Sequence, residues 1–177
     1  MKYLYVGATE DADPEATRTI QECLGTTFRV PVRPLRLPSV DFSFDPQRKQ
    51  YAAAAVLELV ARECPPDAIK VIGVTSRDLF IPVLTFVFGL AQLSGRAGVV
   101  SIARLRQEFY GLPPNPEVLL SRARKEALHE AGHTFGLVHC ANGACAMSLS
   151  TGIQQIDRKG GAFCPVCTAR LPKDRLI

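Results

Sequence analysis

Histidine is nearly absent from this chain: its 177 residues include three, His129, His133 and His139, all within eleven consecutive positions. Long apolar runs are missing too. The stretch most like a membrane span, residues 79–95, is uncharged, but it carries Pro82, Thr85, Gln92 and Ser94 and falls short of the ~20 apolar residues a spanning helix needs. It reads as buried strands, and no membrane partner is expected. No block of one charge sign occurs either. The 21 Lys and Arg are scattered among 17 Asp and Glu for a net charge of +4, so charge alone gives no reason to expect nucleic acid. A nucleic-acid reading would have to rest on Arg158, Lys159, Arg170, Lys173 and Arg175, which outnumber Asp157 and Asp174 in the tail; solvated surface charge explains them more simply. Finally, MKYLYVGATEDAD turns acidic before it is apolar for long enough to serve as a signal peptide, so export is not expected. A cytoplasmic chain lives among reduced thiols, where six cysteines more often hold metal than pair as disulfides.

Hydrophobic residues make up 47% and charged residues 21%, ordinary values for one soluble domain able to bury a core. Sheet-like and helix-like segments alternate through the first two-thirds. Residues 2–9 predict a strand. Asp13-Pro14-Glu15 supplies a cap, a first-turn proline and an early acid for a helix to about Gly25. Residues 28–37 alternate like a strand, with Pro31 and Pro34 arguing for an edge position or an irregular strand. Asp45-Pro46 repeats the cap signal before QRKQYAAAAVLELVAREC, a predicted helix, and IKVIGVTS suits a buried central strand. FVFGLAQLSGRAGVVSIARL reads as two strands paired about Ser94-Gly95. Asn115-Pro116-Glu117 opens a third helix, whose Leu120, Ala123, Ala127, Ala131 and Phe135 should face the sheet. Residues 1–136 and a smaller part, 137–177, make one domain.

That third helix carries His129 and His133. Histidines four apart lie one turn above the other and can reach one ion. Gly136 stands where the helix should end and can take the left-handed conformation that folds the chain back, delivering His139 as a third ligand. Three imidazoles leave a tetrahedral zinc one open position for water, which marks a catalytic site. Glu130, about 100° around the helix from His129, would sit beside that water as general base for attack on a carbonyl. The full H-E-x-x-H-x-x-G-x-x-H string would arise by accident on the order of a few times in a million such sequences.

Cys140-x4-Cys145 and Cys164-x2-Cys167 form two short pairs eighteen residues apart, the spacing of a four-thiolate zinc site. Four thiolates close the coordination shell, so this second zinc would be structural. Because Cys140 follows His139 directly, the structural ion would clamp the loop that presents the third imidazole. Cys23 and Cys64 read as small buried side chains.

The histidine string is the signature of the metzincin metallopeptidases, in which Met147 would supply the methionine turn beneath the ligands. Together with ANGAC, Ala146-Met147 and CPVC, HEAGHTFGLVHC resembles the archaemetzincin family, which combines those histidines with a four-cysteine zinc site. YAAAAVLELVAREC and GLAQLSGRAGVVSIARL are weaker likenesses, and the spacer from Met147 to Cys164 is one residue shorter than usual. The resemblance implies an α+β metzincin fold, a twisted mixed sheet backed by helices with a small zinc-stabilised C-terminal part. It also implies two zinc ions per chain: one catalytic on His129, His133 and His139 with Glu130 as base, one structural on Cys140, Cys145, Cys164 and Cys167. A peptide or small-protein substrate would lie antiparallel to an edge strand at residues 86–93, on a monomeric enzyme. The rival expectation is a catalytically silent zinc protein that binds peptides in the same cleft.

Overall fold

In the computed structural model, which describes residues 2–172, four apolar runs become the parallel strands of one sheet. These are β1 (Tyr3–Ala8), β2 (Val32–Arg36), β5 (Ala68–Thr75) and β8 (Ala97–Ser101); the short β7 (Gly89–Ala91) closes one edge antiparallel to β8, in the order β2-β1-β5-β8-β7. Two remaining short strands, β3 (Phe44–Asp45) and β4 (Gln50–Ala52), make a second small sheet with β6 (Leu79–Phe80). The main sheet is covered on both faces. Leu4, Val6, Ile72, Val74 and Val100 pack toward α1 (Pro14–Phe28) and α3 (Pro116–Thr134), while Tyr5, Val71, Ala97 and Val99 pack toward α2 (Ala53–Arg62). Burial on both faces is why IKVIGVTS is apolar without alternation.

Two helices begin as the sequence predicts. Asp13 accepts hydrogen bonds from the Glu15 and Ala16 amides ahead of α1, and Asn115 accepts one from Val118 ahead of α3, each with proline at the first helical position. Three expectations need correction. Phe28 does not begin a strand: it ends α1, stacks on Phe135 with centroids 4.5 Å apart, and is followed by left-handed Arg29 before β2 takes its expected edge position. Asp45 does not cap a helix. Its Oδ1 accepts from Gln47 and Arg48 in the turn of a β3–β4 hairpin, and α2 starts only at Ala53, because the same side-chain acceptance serves a turn as readily as a cap. In α3, Leu119 is buried and Leu120 only partly so; Ala123, Ala127, Ala131 and Phe135 are buried as expected.

The β7–β8 pair forms as predicted, and its ladder reaches past β7 at both ends, with Ser101 donating to Phe88 O and Gln92 to Ala97 O. Two one-and-a-half-turn helices, α4 (Ile153–Arg158) and α5 (Pro165–Arg170), lie in the C-terminal segment. Ala146, Met147, Ile156, Cys167 and Leu171 join the same hydrophobic cluster as α1 and α3. A two-pronged pair from Arg122 to Asp157, both bonds 2.7 Å, fastens α4 to α3. Among the described residues no helix is long and apolar enough to cross a membrane.

Candidate active site and a second metal centre

Helix α3 presents His129 and His133 one turn apart, with ring centroids separated by 4.6 Å. The helix ends in a Schellman closure: Gly136, at φ 91°, donates to His133 O at 2.9 Å, and Leu137 donates to Gly132 O at 3.0 Å. The chain therefore doubles back and sets the His139 ring 5.3 Å from His129 and 5.0 Å from His133. One donor atom from each of the three lies within 4.8 Å of the others.

Carbonyls fix how two of these rings are turned. His129 Nδ1 lies 2.9 Å from Ala146 O, and His133 Nδ1 lies 2.8 Å from Leu137 O. A carbonyl only accepts, so each Nδ1 carries the hydrogen and each Nε2 is left with its lone pair. Those two Nε2 atoms face each other at 3.1 Å. Two lone pairs so close repel unless a cation lies between them, and the donor set fits zinc. Burial, with the Lys159 ammonium adding to it, holds the His129 pKa down to about 3, and burial also lowers that of His133. Both rings are thus kept in the neutral form a metal requires.

Met147 is fully buried under this turn of helix. A Cβ on Gly132 would overlap its Sδ, so the glycine between the two histidines is what lets the methionine approach. Glu130 is 5% exposed and lies against the backbone of β7: a Cβ on Gly89 would come within 2.6 Å of Glu130 Cγ and Oε1. Burial, reinforced by Glu126 and opposed by Lys159, raises the Glu130 pKa well above the usual carboxylate range. Above these groups opens a cleft of about 570 Å³, walled on one side by the backbone and side chains of residues 84–91.

The turn of the β7–β8 hairpin is tied to the end of α3. Ser94 donates to His133 O at 2.9 Å, and the buried Lys70 donates from Nζ to Gly95 O at 2.7 Å and to Thr134 O at 2.6 Å.

Cys140, Cys145, Cys164 and Cys167 converge separately, their sulfurs within 4.8 Å of one another. Cys140 Sγ and Cys164 Sγ are 3.9 Å apart, far beyond the ~2.05 Å of a disulfide and apt for thiolates sharing one ion. The amides of Met147 and Cys164 point at Cys145 Sγ. A hydrogen bond from the Cys167 backbone lowers the Cys164 pKa to about 7, whereas burial pushes the Cys167 thiol up. Cys23 and Cys64 stand apart and are half-buried.

Three residues escaped the sequence reading. Gly89 carries no local signal. Glu126 could have been found, since it lies one turn before Glu130 on the same helix face. Lys159 was expected among solvated charges, but it is 2% exposed and its Nζ lies 2.6 Å from Glu126 Oε1; nothing in its neighbourhood of sequence marks it for burial. Lys173, Asp174 and Arg175, also counted in that charged tail, lie outside the described residues.

A zinc-fitting histidine triad, two rings on a helix and the third on the turn that follows it, beside a sheet edge, with an acid next to it and a methionine below, defines the metzincin class of zinc metallopeptidases. Comparison with known proteins carries this further. The sequence model of peptidase family M54 matches residues 26–173. The chain is 43% identical over 144 residues to the archaemetzincin of Methanocaldococcus jannaschii, covering 80% of this chain and 78% of that one. It superposes on the crystal structure of archaemetzincin from Methanopyrus kandleri with a TM-score of 0.84, at 37% identity over 95% of this chain and 92% of that one. The archaemetzincin of Archaeoglobus fulgidus, crystallised with malonate, gives 0.82 at 31% identity, over 96% and 99% of the two chains. This chain belongs to peptidase family M54, the archaemetzincins.

Proposed function

We propose that His129, His133 and His139 hold a catalytic zinc, that Glu130 is the general base, and that Cys140, Cys145, Cys164 and Cys167 hold a second, structural zinc. Zinc in the first position would supply a Lewis acid that lowers the pKa of a coordinated water to about 7 and polarises a carbonyl. The chain's own residues do the rest. Glu130 Oε1, made more basic by burial, takes a proton from the attacking water and passes it to the departing amine nitrogen. Ala146 O and Leu137 O hold two imidazoles in the tautomer that offers Nε2. The substrate peptide lies antiparallel to β7, whose outer backbone groups pair with it and set its register over Glu130. The enzyme works as a monomer in the cytoplasm on peptides or small proteins, without nucleic acid or membrane as partners.

One observation carries this reading: two Nε2 lone pairs turned toward each other at 3.1 Å by carbonyls behind them, with a third imidazole and a buried acid alongside. The test pairs metal analysis with digestion of a peptide library by the zinc-loaded protein and by Glu130→Gln. The parent should cleave, and the variant should keep its zinc while losing activity by about 10²–10⁴-fold. Turnover unchanged in the variant would refute the role of Glu130. Tight peptide binding without cleavage by the parent would favour the silent peptide-binding reading.

A further inference from the structure

The cleft is longer than the cluster of histidines at its middle. Besides the histidines and Glu130, its lining includes Phe86 and Phe88, the Leu149–Thr151 segment, and Glu126, one turn before Glu130 on α3. Glu126 precedes Glu130 by four residues, or about 6 Å along the helix axis, on the same face. It is 3% exposed, and Lys159 Nζ, itself buried, reaches Oε1 from behind. Ser150 Oγ is buried and has no hydrogen-bond partner among the described residues. An apolar recess that ends on a buried ion pair and an unpaired hydroxyl bears a desolvation cost, which a bound side chain making those hydrogen bonds would offset.

Strand direction says which part of a substrate enters. A peptide antiparallel to β7 sets the residues before its scissile bond beside residues 90–93 and those after it beside residues 86–89, the stretch that borders Glu126. Charge says what kind of side chain fits. Lys159 already pairs with Glu126, so neither a cation nor an anion finds an unmatched charge there, and an anion would also meet Glu130. A neutral amide can donate to the Glu126 carboxylate and accept from Ser150 while its methylenes lie along the phenylalanines.

We infer that this recess is the subsite for the side chain that follows the scissile bond, and that Glu126, Lys159 and Ser150 make it select a neutral, donor-bearing tip on an apolar stem, typified by glutamine. The inference rests on the peptidase reading for the direction of the substrate.

Binding tests it independently of turnover. The zinc-loaded Glu130→Gln protein is titrated with amidated tripeptides X-Ala-Gly, where X is Gln, Met, Lys or Glu. Gln should bind roughly tenfold more tightly than Met, the discrimination expected of one hydrogen bond to a charged group, and more tightly than Lys or Glu. Adding Glu126→Met together with Lys159→Met replaces the ion pair by apolar side chains of similar length and should reverse the order of Gln and Met. Should that double substitution prevent folding, Ser150→Ala, which leaves the pair intact, should cut the preference for Gln about threefold. Equal binding of Gln and Met, or a preference untouched by these substitutions in folded protein, overturns the inference. A clear preference for Gln in a protein whose parent cleaves no peptide would uphold the subsite and defeat the peptidase reading instead.

Discussion

His139 and Cys140 are consecutive in the chain yet belong to different donor clusters, the imidazole to the histidine triad and the thiol to the four sulfurs. A single peptide bond therefore joins the two centres.

This relationship predicts that damage to the sulfur site reaches the histidines. If the two proposed centres each hold a zinc, Cys164→Ser should remove the ion at the sulfur site and also weaken binding at the histidine site, by about 10–100-fold in affinity, although position 164 is far in sequence from every histidine. Titration with a competing chelator measures both steps. Loss of one ion with the other held as tightly as in the parent would show that the centres are independent.

Gly89 gives a sharper test of the substrate edge. Any side chain there collides with Glu130 and with Val99 O, so Gly89→Ala should push the carboxyl aside. Zinc content should hold, while kcat/KM falls by at least about tenfold if Glu130 is the general base proposed above. Kinetics on a peptide found in the library digest would measure it.

At Gly132 the expected loss is of stability. Gly132→Ala must displace Met147 Sδ and crowd Phe163, which at fully packed positions costs about 1–3 kcal/mol and lowers Tm by roughly 2–4 °C per kcal/mol in a chain of this size. Calorimetry of the zinc-loaded protein is the measurement.

Acid should loosen the C-terminal segment from α3. The Arg122 side-chain hydrogen bonds hold the Asp157 pKa below its usual 3.8 in the folded chain, so this pair contributes above the unfolded value and fades as pH falls through the folded one. Asp157→Asn should thus cost about 1 kcal/mol at pH 7, discounted for the half-exposed carboxylate, and progressively less as pH falls below 3.8 through the folded value. Urea midpoints across that range will show whether the difference closes.

The histidine triad was legible because its three residues sit close in sequence and because helical spacing and a terminating glycine fix their geometry by local rules alone. The sulfur site was legible for a similar reason, as two short pairs. The central strands showed themselves by burial on both faces. Misreadings fell where one local signal serves two structures: Asp45 bonds to the amides two and three residues ahead in a hairpin turn just as it would at a helix start. The floor of the cleft was illegible for another reason. Lys159 meets Glu126 across 33 residues of chain, and only tertiary packing decides that a lysine in a polar stretch turns inward.

The bonds from Lys70 and Ser94 to the end of α3 bear on how a substrate could be aligned. With the hairpin turn fastened to His133 and Thr134, β7 cannot shift without carrying the end of the histidine helix along. The spacing between that edge strand and the histidine helix is then set by three backbone carbonyls, one amide and one ammonium. Alignment of any bound peptide would then depend in part on a buried lysine, distant in sequence, whose ammonium touches the neighbour of His133.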